Sequence, residues 1–107
     1  MSDLYDYDLI VIGAGTSGNA VARMTAAAGW KVAIIDSLPY GGTCALRGCD
    51  PKKMLVAVTE GVDWAQNLKG KGLEAQVAID WQGMMAFKRS FTDAMPPRIE
   101  TGLEKAG

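Results

Sequence analysis

The glycine-rich turn GAGTSG, residues 13–18, constrains the fold of this chain more than any other feature. It follows an apolar run at 9–12, which is typical of a strand buried on both faces of a parallel sheet. An alanine-rich stretch at 19–28 then predicts a helix, which Gly29 closes. A second apolar strand at 31–35 completes a predicted Rossmann-like βαβ unit, so the expected fold class is α/β.

Each glycine of this turn has a physical role in binding a dinucleotide. Gly13 makes the tight turn, Gly15 lets the backbone approach a pyrophosphate, and Gly18 lets the helix pack against the strand. The pyrophosphate then lies at the positive end of the helix. Asp36, at the end of the second strand, would accept hydrogen bonds from the adenosine ribose. No arginine follows Asp36 closely, so this stretch predicts FAD or NAD rather than NADP.

Both cysteines of the chain, Cys44 and Cys49, lie in the segment GGTCALRGCDPKK at 41–53. In a regular α-helix, positions five apart have Cα atoms about 8 to 9 Å from each other, beyond the ~7 Å limit for a disulfide. A disulfide therefore requires a non-helical kink between the two cysteines. Gly48 is the residue that could supply it.

The residues after Cys49 predict a helix start. Asp50 is a preferred N-cap, and Pro51 suits the first helical position. Cys49 would then lie at a positive helix end beside Lys52 and Lys53, which lowers a thiol pKa and favours the thiolate. Asp50 opposes this effect locally.

The cysteine and histidine counts bear on the chemistry of the pair. Disulfides in a reducing compartment are usually transient and catalytic, so two neighbouring cysteines favour redox chemistry over a structural disulfide. Zinc needs further nitrogen or sulfur ligands, and the chain has no histidine. We therefore expect no metal site.

Composition excludes several classes of function. At 107 residues, 49% hydrophobic and 21% charged, the chain is long enough for one globular domain at most. Its formal net charge of -1 offers no basic field for nucleic acid or an anionic membrane. The acidic N-terminus lacks the features of a signal peptide, and its apolar run is too short to span a membrane. We expect a cytoplasmic protein.

The last sixty residues predict helices. Apolar residues recur at helical spacing from Pro51 to about Asn67, and KGKG at 69–72 ends that helix. Asp80 is an N-cap candidate for another helix, which the prolines at 96–97 should interrupt. Its apolar stripe contains Trp81, Met84, Phe87 or Lys88, Phe91 and Met95. With two strands and several amphipathic helices, apolar faces should be exposed, and we expect association or a partly molten state.

Together, the two motifs resemble those of the class I pyridine nucleotide-disulfide oxidoreductases, the group that contains glutathione reductase, dihydrolipoamide dehydrogenase and mercuric reductase. The usual form of their redox segment is close to GGTCxNxGCxPxK. The resemblance implies that FAD is bound by residues of both motifs: Gly13, Gly15, Thr16, Gly18, Asp36, Gly42, Thr43, Cys49 and Lys52. It also implies that Cys44 attacks the substrate, that Cys49 faces the flavin, and that Lys52 lies near the flavin N5.

The resemblance further implies a partial FAD/NAD(P)-binding domain over 1–107, a fragment of a longer homodimeric enzyme. Electrons would pass from NAD(P)H to FAD, then to the Cys44–Cys49 disulfide and to a small-molecule disulfide or thiol-linked substrate; the isolated fragment should be inactive. Two alternatives stay open, a non-catalytic redox-sensing module that binds FAD or NAD, and an NAD domain without flavin. The chain departs from the family pattern in the redox segment, with Leu46 for asparagine, a charged Arg47, and Asp50 for an apolar residue.

Overall fold

The computed structural model describes residues 6–74 and 76–107. Within them, the chain begins with a βαβ unit and continues with helices, as the sequence predicts. The elements in chain order are β1 (Leu9–Ile12), α1 (Thr16–Ala27), β2 (Val32–Ile35), α2 (Gly42–Arg47), α3 (Cys49–Asn67), α4 (Trp81–Thr92) and α5 (Met95–Glu104).

The two strands form a parallel sheet in which Leu9 pairs with Val32 and Ile12 with Ile35. The side chain of Asp8 fixes the entry to this sheet, because its Oδ2 accepts a hydrogen bond of 2.8 Å from the backbone N–H of Lys31. Lys31 itself lies just outside β2. The predicted strand therefore starts one residue too early, but the crossover through α1 is the one expected for a Rossmann-like unit.

Burial of β1 differs from the prediction. Its residues alternate between half-buried and exposed, and Ile12 is 84% exposed. Within the described residues, α1 covers one face of the sheet and the opposite face is open, so the strand is not buried on both sides. The expectation of exposed apolar faces is confirmed, whereas association of the chain stays a prediction.

The helical part extends away from the sheet. α3 packs on α4, and α5 returns to α1, where Arg23 Nη1 donates a 3.0 Å hydrogen bond to the carbonyl of Gly102. The radius of gyration is 20.7 Å, compared with about 13 Å for a compact domain of this length. The molecule measures 79 × 23 × 18 Å and is therefore rod-like. No helix of the described residues is long and apolar enough to cross a membrane.

Two helix boundaries in this part test the sequence prediction. Asp80 is the N-cap of α4, as expected. The prolines at 96–97 do not interrupt that helix, because α4 ends at Thr92 and the prolines lie in the first turn of α5. Proline is compatible with a first turn, since the N–H groups there have no partner within the helix. On the apolar stripe, Met84 is buried but Trp81 and Phe87 are exposed.

Candidate functional site

The candidate site begins at Gly13, where β1 ends. This residue has a φ of +104°, which favours glycine, and its N–H donates a 2.7 Å hydrogen bond to the carbonyl of Ile35. The carboxyl ends of β1 and β2 are thus joined at the start of the glycine turn. The next residue, Ala14, is fully buried. The structure confirms the tight turn predicted at Gly13.

α1 begins directly after the turn, with Gly15 as its N-cap. The predicted start, residue 19, was three residues too late, because polar residues with low helix propensity occupy the first turn. No side chain caps this end, so the first N–H groups of α1 can bind an anion. Thr16, the first residue of the helix, is exposed.

Gly18 lies where α1 crosses β1. A Cβ atom built on this residue would overlap the carbonyl oxygen of Gly13 and lie 3.3 Å from Cγ1 of Val11. Only glycine allows the helix to approach the turn and the strand this closely. The close-packing role predicted for Gly18 is therefore confirmed by the geometry.

Asp36 holds the glycine turn from the end of β2. Its Oδ2 accepts a 2.7 Å hydrogen bond from the N–H of Ala14, and its Oδ1 accepts one of 2.9 Å from the N–H of Leu38. These hydrogen bonds, that of Ala14 first, lower the pKa of Asp36 below its ordinary value, with a smaller contribution from the charge of Arg47. A carboxylate has about four acceptor positions, so both oxygens can still accept from a ribose.

We expect Asp36→Asn to destabilise the turn. Each carboxylate oxygen accepts one backbone hydrogen bond, and the NH₂ group that replaces one of these oxygens in asparagine cannot accept. The pKa of Asp36 is lowered on folding, so the carboxylate contributes its stability above the ordinary pKa of 3.8 and loses it as the pH falls through the lower folded pKa. Urea unfolding of both proteins should show a constant difference in stability from pH 5 to 8 that shrinks below about pH 4. With Asp63→Asn as control, a difference that grows on acidification would contradict this account.

Asn19, in α1 directly after the glycine turn, is a residue of the site that sequence reasoning missed. Its Nδ2 donates hydrogen bonds of 2.8 Å and 3.0 Å to the carbonyls of Ala14 and Gly15. The side chain thereby fixes the backbone on which the predicted pyrophosphate site depends. The available signal was the presence of asparagine in an otherwise alanine-rich helix, because asparagine tends to bond to nearby backbone groups.

The cysteine segment contacts the glycine turn through backbone alone. The N–H of Gly41 donates a 3.0 Å hydrogen bond to the carbonyl of Ala14. Gly42 has a φ of +69°, and a Cβ atom built on it would lie 2.5 Å from the Cα of Gly15. Two glycines that are distant in sequence therefore bring the cysteine segment against the turn. The exposed Thr43 follows directly at this junction.

The two cysteines lie on different helices. Cys44 is in α2, a helix that the sequence analysis did not predict, and Cys49 is the first residue of α3. Gly48 separates the helices, and a Cβ atom there would lie 2.9 Å from the carbonyl oxygen of Thr43. The predicted kink at Gly48 is confirmed. The predicted cap is wrong, because the N-cap of α3 is Gly48 and Asp50 lies within the first turn.

The kink brings the two cysteines close enough for Cys49 to affect the ionisation of the Cys44 thiol. Both cysteines are reduced in this structure; Cys44 is half-buried and Cys49 is exposed. A hydrogen bond to Cys49 raises the pKa of the Cys44 thiol, and desolvation and the negative charges of Cys49 and Asp50 act in the same direction. Cys44 therefore keeps its proton to a higher pH than an ordinary thiol. Such a pair can close to a disulfide or open to a dithiol.

A comparison with protein-family models assigns residues 7–98 to the model described as pyridine nucleotide-disulphide oxidoreductase. The chain belongs to the pyridine nucleotide-disulfide oxidoreductase family. This confirms the family that the two glycine-containing motifs indicate. The matched range includes the glycine turn, Asp36 and the whole cysteine segment.

Members of the pyridine nucleotide-disulfide oxidoreductase family are among the similar curated proteins. The chain is 54% identical to a glutathione reductase of Nostoc sp. over 104 residues, which cover 96% of this chain and 23% of that protein. It is 40% identical to a glutathione reductase of Burkholderia cepacia over 97 residues, or 90% of this chain and 21% of that protein. A dihydrolipoyl dehydrogenase of Synechocystis sp. is 48% identical over 59 residues, or 55% of this chain and 12% of that protein.

The chain thus spans about a quarter or less of these relatives in the pyridine nucleotide-disulfide oxidoreductase family. Of the residues predicted to act in the site, those of the turn and the cysteine segment are brought together by the structure. Lys52 lies in the first turn of α3 with an exposed side chain, and its N–H donates a 3.0 Å hydrogen bond to the carbonyl of Gly48. Its position beside a flavin stays a prediction.

Proposed function

We propose that this chain is the N-terminal FAD-binding and redox-disulfide segment of an NAD(P)H-dependent flavoprotein disulfide reductase. One observation carries the proposal, the contact between Gly15 and Gly42 that holds a reactive thiol pair against a dinucleotide-binding turn. A turn alone would support only nucleotide binding, and a thiol pair alone only redox sensing. The contact through Gly42, two residues before Cys44, favours electron transfer between the two.

The residues of the turn fit FAD. The uncapped N-terminus of α1 offers N–H groups to the pyrophosphate, and Asp36 retains acceptor capacity for the ribose hydroxyls. Gly42 and Thr43 would pack beside the ring end of the cofactor, with Lys52 close to its reactive edge. When bound, FAD supplies the transfer of an electron pair between NAD(P)H and the cysteines.

The cysteines carry out thiol–disulfide exchange. The Cys44 thiolate attacks one sulfur of a small disulfide, forms a mixed disulfide, and releases the other half as a thiolate that takes up a proton. The Cys49 thiolate then attacks the sulfur of Cys44, which releases the second thiol and leaves the Cys44–Cys49 disulfide. Two electrons have passed to the substrate, and two are needed to restore the dithiol.

The order of attack is the one that the family resemblance implies, with Cys44 meeting the substrate and Cys49 facing the flavin. Cys49 lies at the N-terminus of α3, and its hydrogen bond with Cys44 raises the pKa of the Cys44 thiol. Cys44 becomes the nucleophile when its proton leaves. We further propose that the complete enzyme is a homodimer, as the family resemblance implies, and that it is cytoplasmic.

The experiment that tests this function uses the complete polypeptide, purified and supplied with FAD. We expect a yellow protein that oxidises NADH or NADPH only when a small disulfide is present. A colourless protein that binds NAD would indicate a nucleotide domain without flavin. A yellow protein that turns over no disulfide, and whose thiols do not change on reduction, would favour the redox-sensing module.

A further inference from the structure

Asp50 is the charged residue nearest in sequence to the redox pair that the proposed function does not use. It lies in the first turn of α3, directly after Cys49, and is half-buried. The redox segment of the family resemblance has an apolar residue at this position. A carboxylate here is therefore a departure that the fold itself does not require.

The kink at Gly48 brings the start of α3, where Asp50 lies, back toward Cys44. A Cβ atom on Gly48 would lie 3.6 Å from the Cα of Cys44, so the first turn of α3 passes close to the attacking cysteine. The charges that act on the Cys44 thiol are those of Cys49 and Asp50, and both are negative. The positive charge of Arg47, the last residue of α2, acts on Asp36. On α3, Lys52 and Lys53 are exposed.

We propose that Asp50 is a specificity-determining residue for exchange at Cys44, which favours cationic or uncharged disulfides and disfavours those with carboxylates close to the sulfur atoms. This inference rests on the proposed function, because it names the substrate class of the same site.

Charge at Asp50 acts on the approach of the substrate to the nucleophile. In the attack, the Cys44 sulfur bonds to one sulfur of the substrate while the sulfur–sulfur bond breaks and the electron pair leaves on the second sulfur. A carboxylate on the substrate would come close to that of Asp50 in this arrangement, and an ammonium group would be attracted to it. Salt screens this interaction, so the effect of Asp50 should be largest at low ionic strength.

Alkylation of Cys44 measures this effect without any turnover. In the complete, FAD-loaded polypeptide carrying Cys49→Ser, the rate of Cys44 alkylation is measured with iodoacetate, an anion, and with iodoacetamide, which is neutral. Both reagents react with the same thiolate, so the ratio of the two rates cancels any change in its pKa. Peptide mass spectrometry assigns the product to Cys44.

We expect Asp50→Asn to raise the iodoacetate-to-iodoacetamide ratio about three- to fivefold at low ionic strength, and high salt to remove most of the gain. Asp50→Glu should keep the low ratio because it retains the charge. Glu60→Gln, the matched control on the same helix about 15 Å further along, should leave the ratio unchanged. A ratio that stays the same or falls in Asp50→Asn would overturn the proposal.

Turnover with the intact cysteine pair separates this inference from the proposed function. We expect Asp50→Asn to lower kcat/KM for cystamine, a dication, and to raise it for 3,3′-dithiodipropionate, a dianion, with little change for the uncharged 2-hydroxyethyl disulfide. If the unsubstituted protein reduces none of them, the proposed function fails while the alkylation ratio still decides the role of Asp50. If the unsubstituted protein reduces all three disulfides and Asp50→Asn leaves the ratios of their kcat/KM values unchanged, only the role of Asp50 is refuted.

Discussion

Cys44→Ser in the complete flavoprotein is expected to lower disulfide turnover by on the order of 10³-fold or more, because it removes the nucleophile that attacks the substrate. Cys49 would remain as the single cysteine, at the N-terminus of α3. We therefore expect this variant to keep a long-wavelength absorption band from a thiolate in contact with the flavin. Stopped-flow absorbance and a coupled NAD(P)H assay measure the two properties on the same sample.

Cys49→Ser is the matched comparison, since it changes the same atom type five residues away. It should abolish turnover as well, but also the long-wavelength band, because the resemblance assigns the flavin contact to Cys49 and the remaining Cys44 is half-buried. The reverse pattern, a band in Cys49→Ser and none in Cys44→Ser, would reject the assigned roles of the two thiols.

Gly18→Ala is expected to destabilise the flavin-binding unit by about 3 kcal/mol or more, because the new methyl group overlaps the carbonyl oxygen of Gly13 and crowds Val11. The overlap involves backbone, so no rotation of a side chain can relieve it. α1 would have to move away from β1, which also displaces the N–H groups offered to the pyrophosphate. Thermal release of FAD, followed by flavin fluorescence, should occur at a markedly lower temperature.

Gly61→Ala provides the control for helix propensity. Gly61 lies within α3, and a Cβ atom there meets nothing within 4 Å. The same substitution should therefore stabilise the protein by about 0.5 to 1 kcal/mol, as alanine is the better helix former. Equal effects of the two variants, in either direction, would show that close packing at Gly18 does not hold the site together.

Local patterns predicted the parts of the fold that depend on neighbouring residues. The bounds of β1, the break at Gly48 and the N-cap position of Asp80 follow from short-range preferences, and the structure confirms all three, although the Asp80 side chain makes no capping hydrogen bond. The close packing at Gly18 was also predictable, because the spacing of the glycines fixes which residue of the helix meets the strand.

Helix starts near the site were less predictable. Asp50 and Pro51 together favour a helix that begins at residue 51, yet α3 starts at Cys49 because the chain emerges from α2 already turned by Gly48. The preference for an aspartate cap is only about 1 kcal/mol, which tertiary packing can override. The sequence predicted the kink at Gly48. It did not predict that a helix would end directly before the kink and another begin directly after it.

The contact between Gly15 and Gly42 could not be derived from local patterns. It joins segments far apart in the chain, and its only sequence signal is a glycine pair before a cysteine. The hydrogen bonds of Asn19 to the turn are local, but their signal was weak, since polar residues in the first turns of helices are common. Both features position the proposed cofactor relative to the thiols and so matter most for function.

The central claim is that the thiol pair and a flavin form one electron-transfer unit, and an anaerobic reductive titration tests it most directly. The complete polypeptide with FAD bound is titrated with dithionite while flavin absorbance is followed. The account predicts that each chain takes up four electrons, two in the Cys44–Cys49 disulfide and two in the flavin, and that Cys44→Ser takes up only two. Uptake of two electrons by both proteins would contradict it.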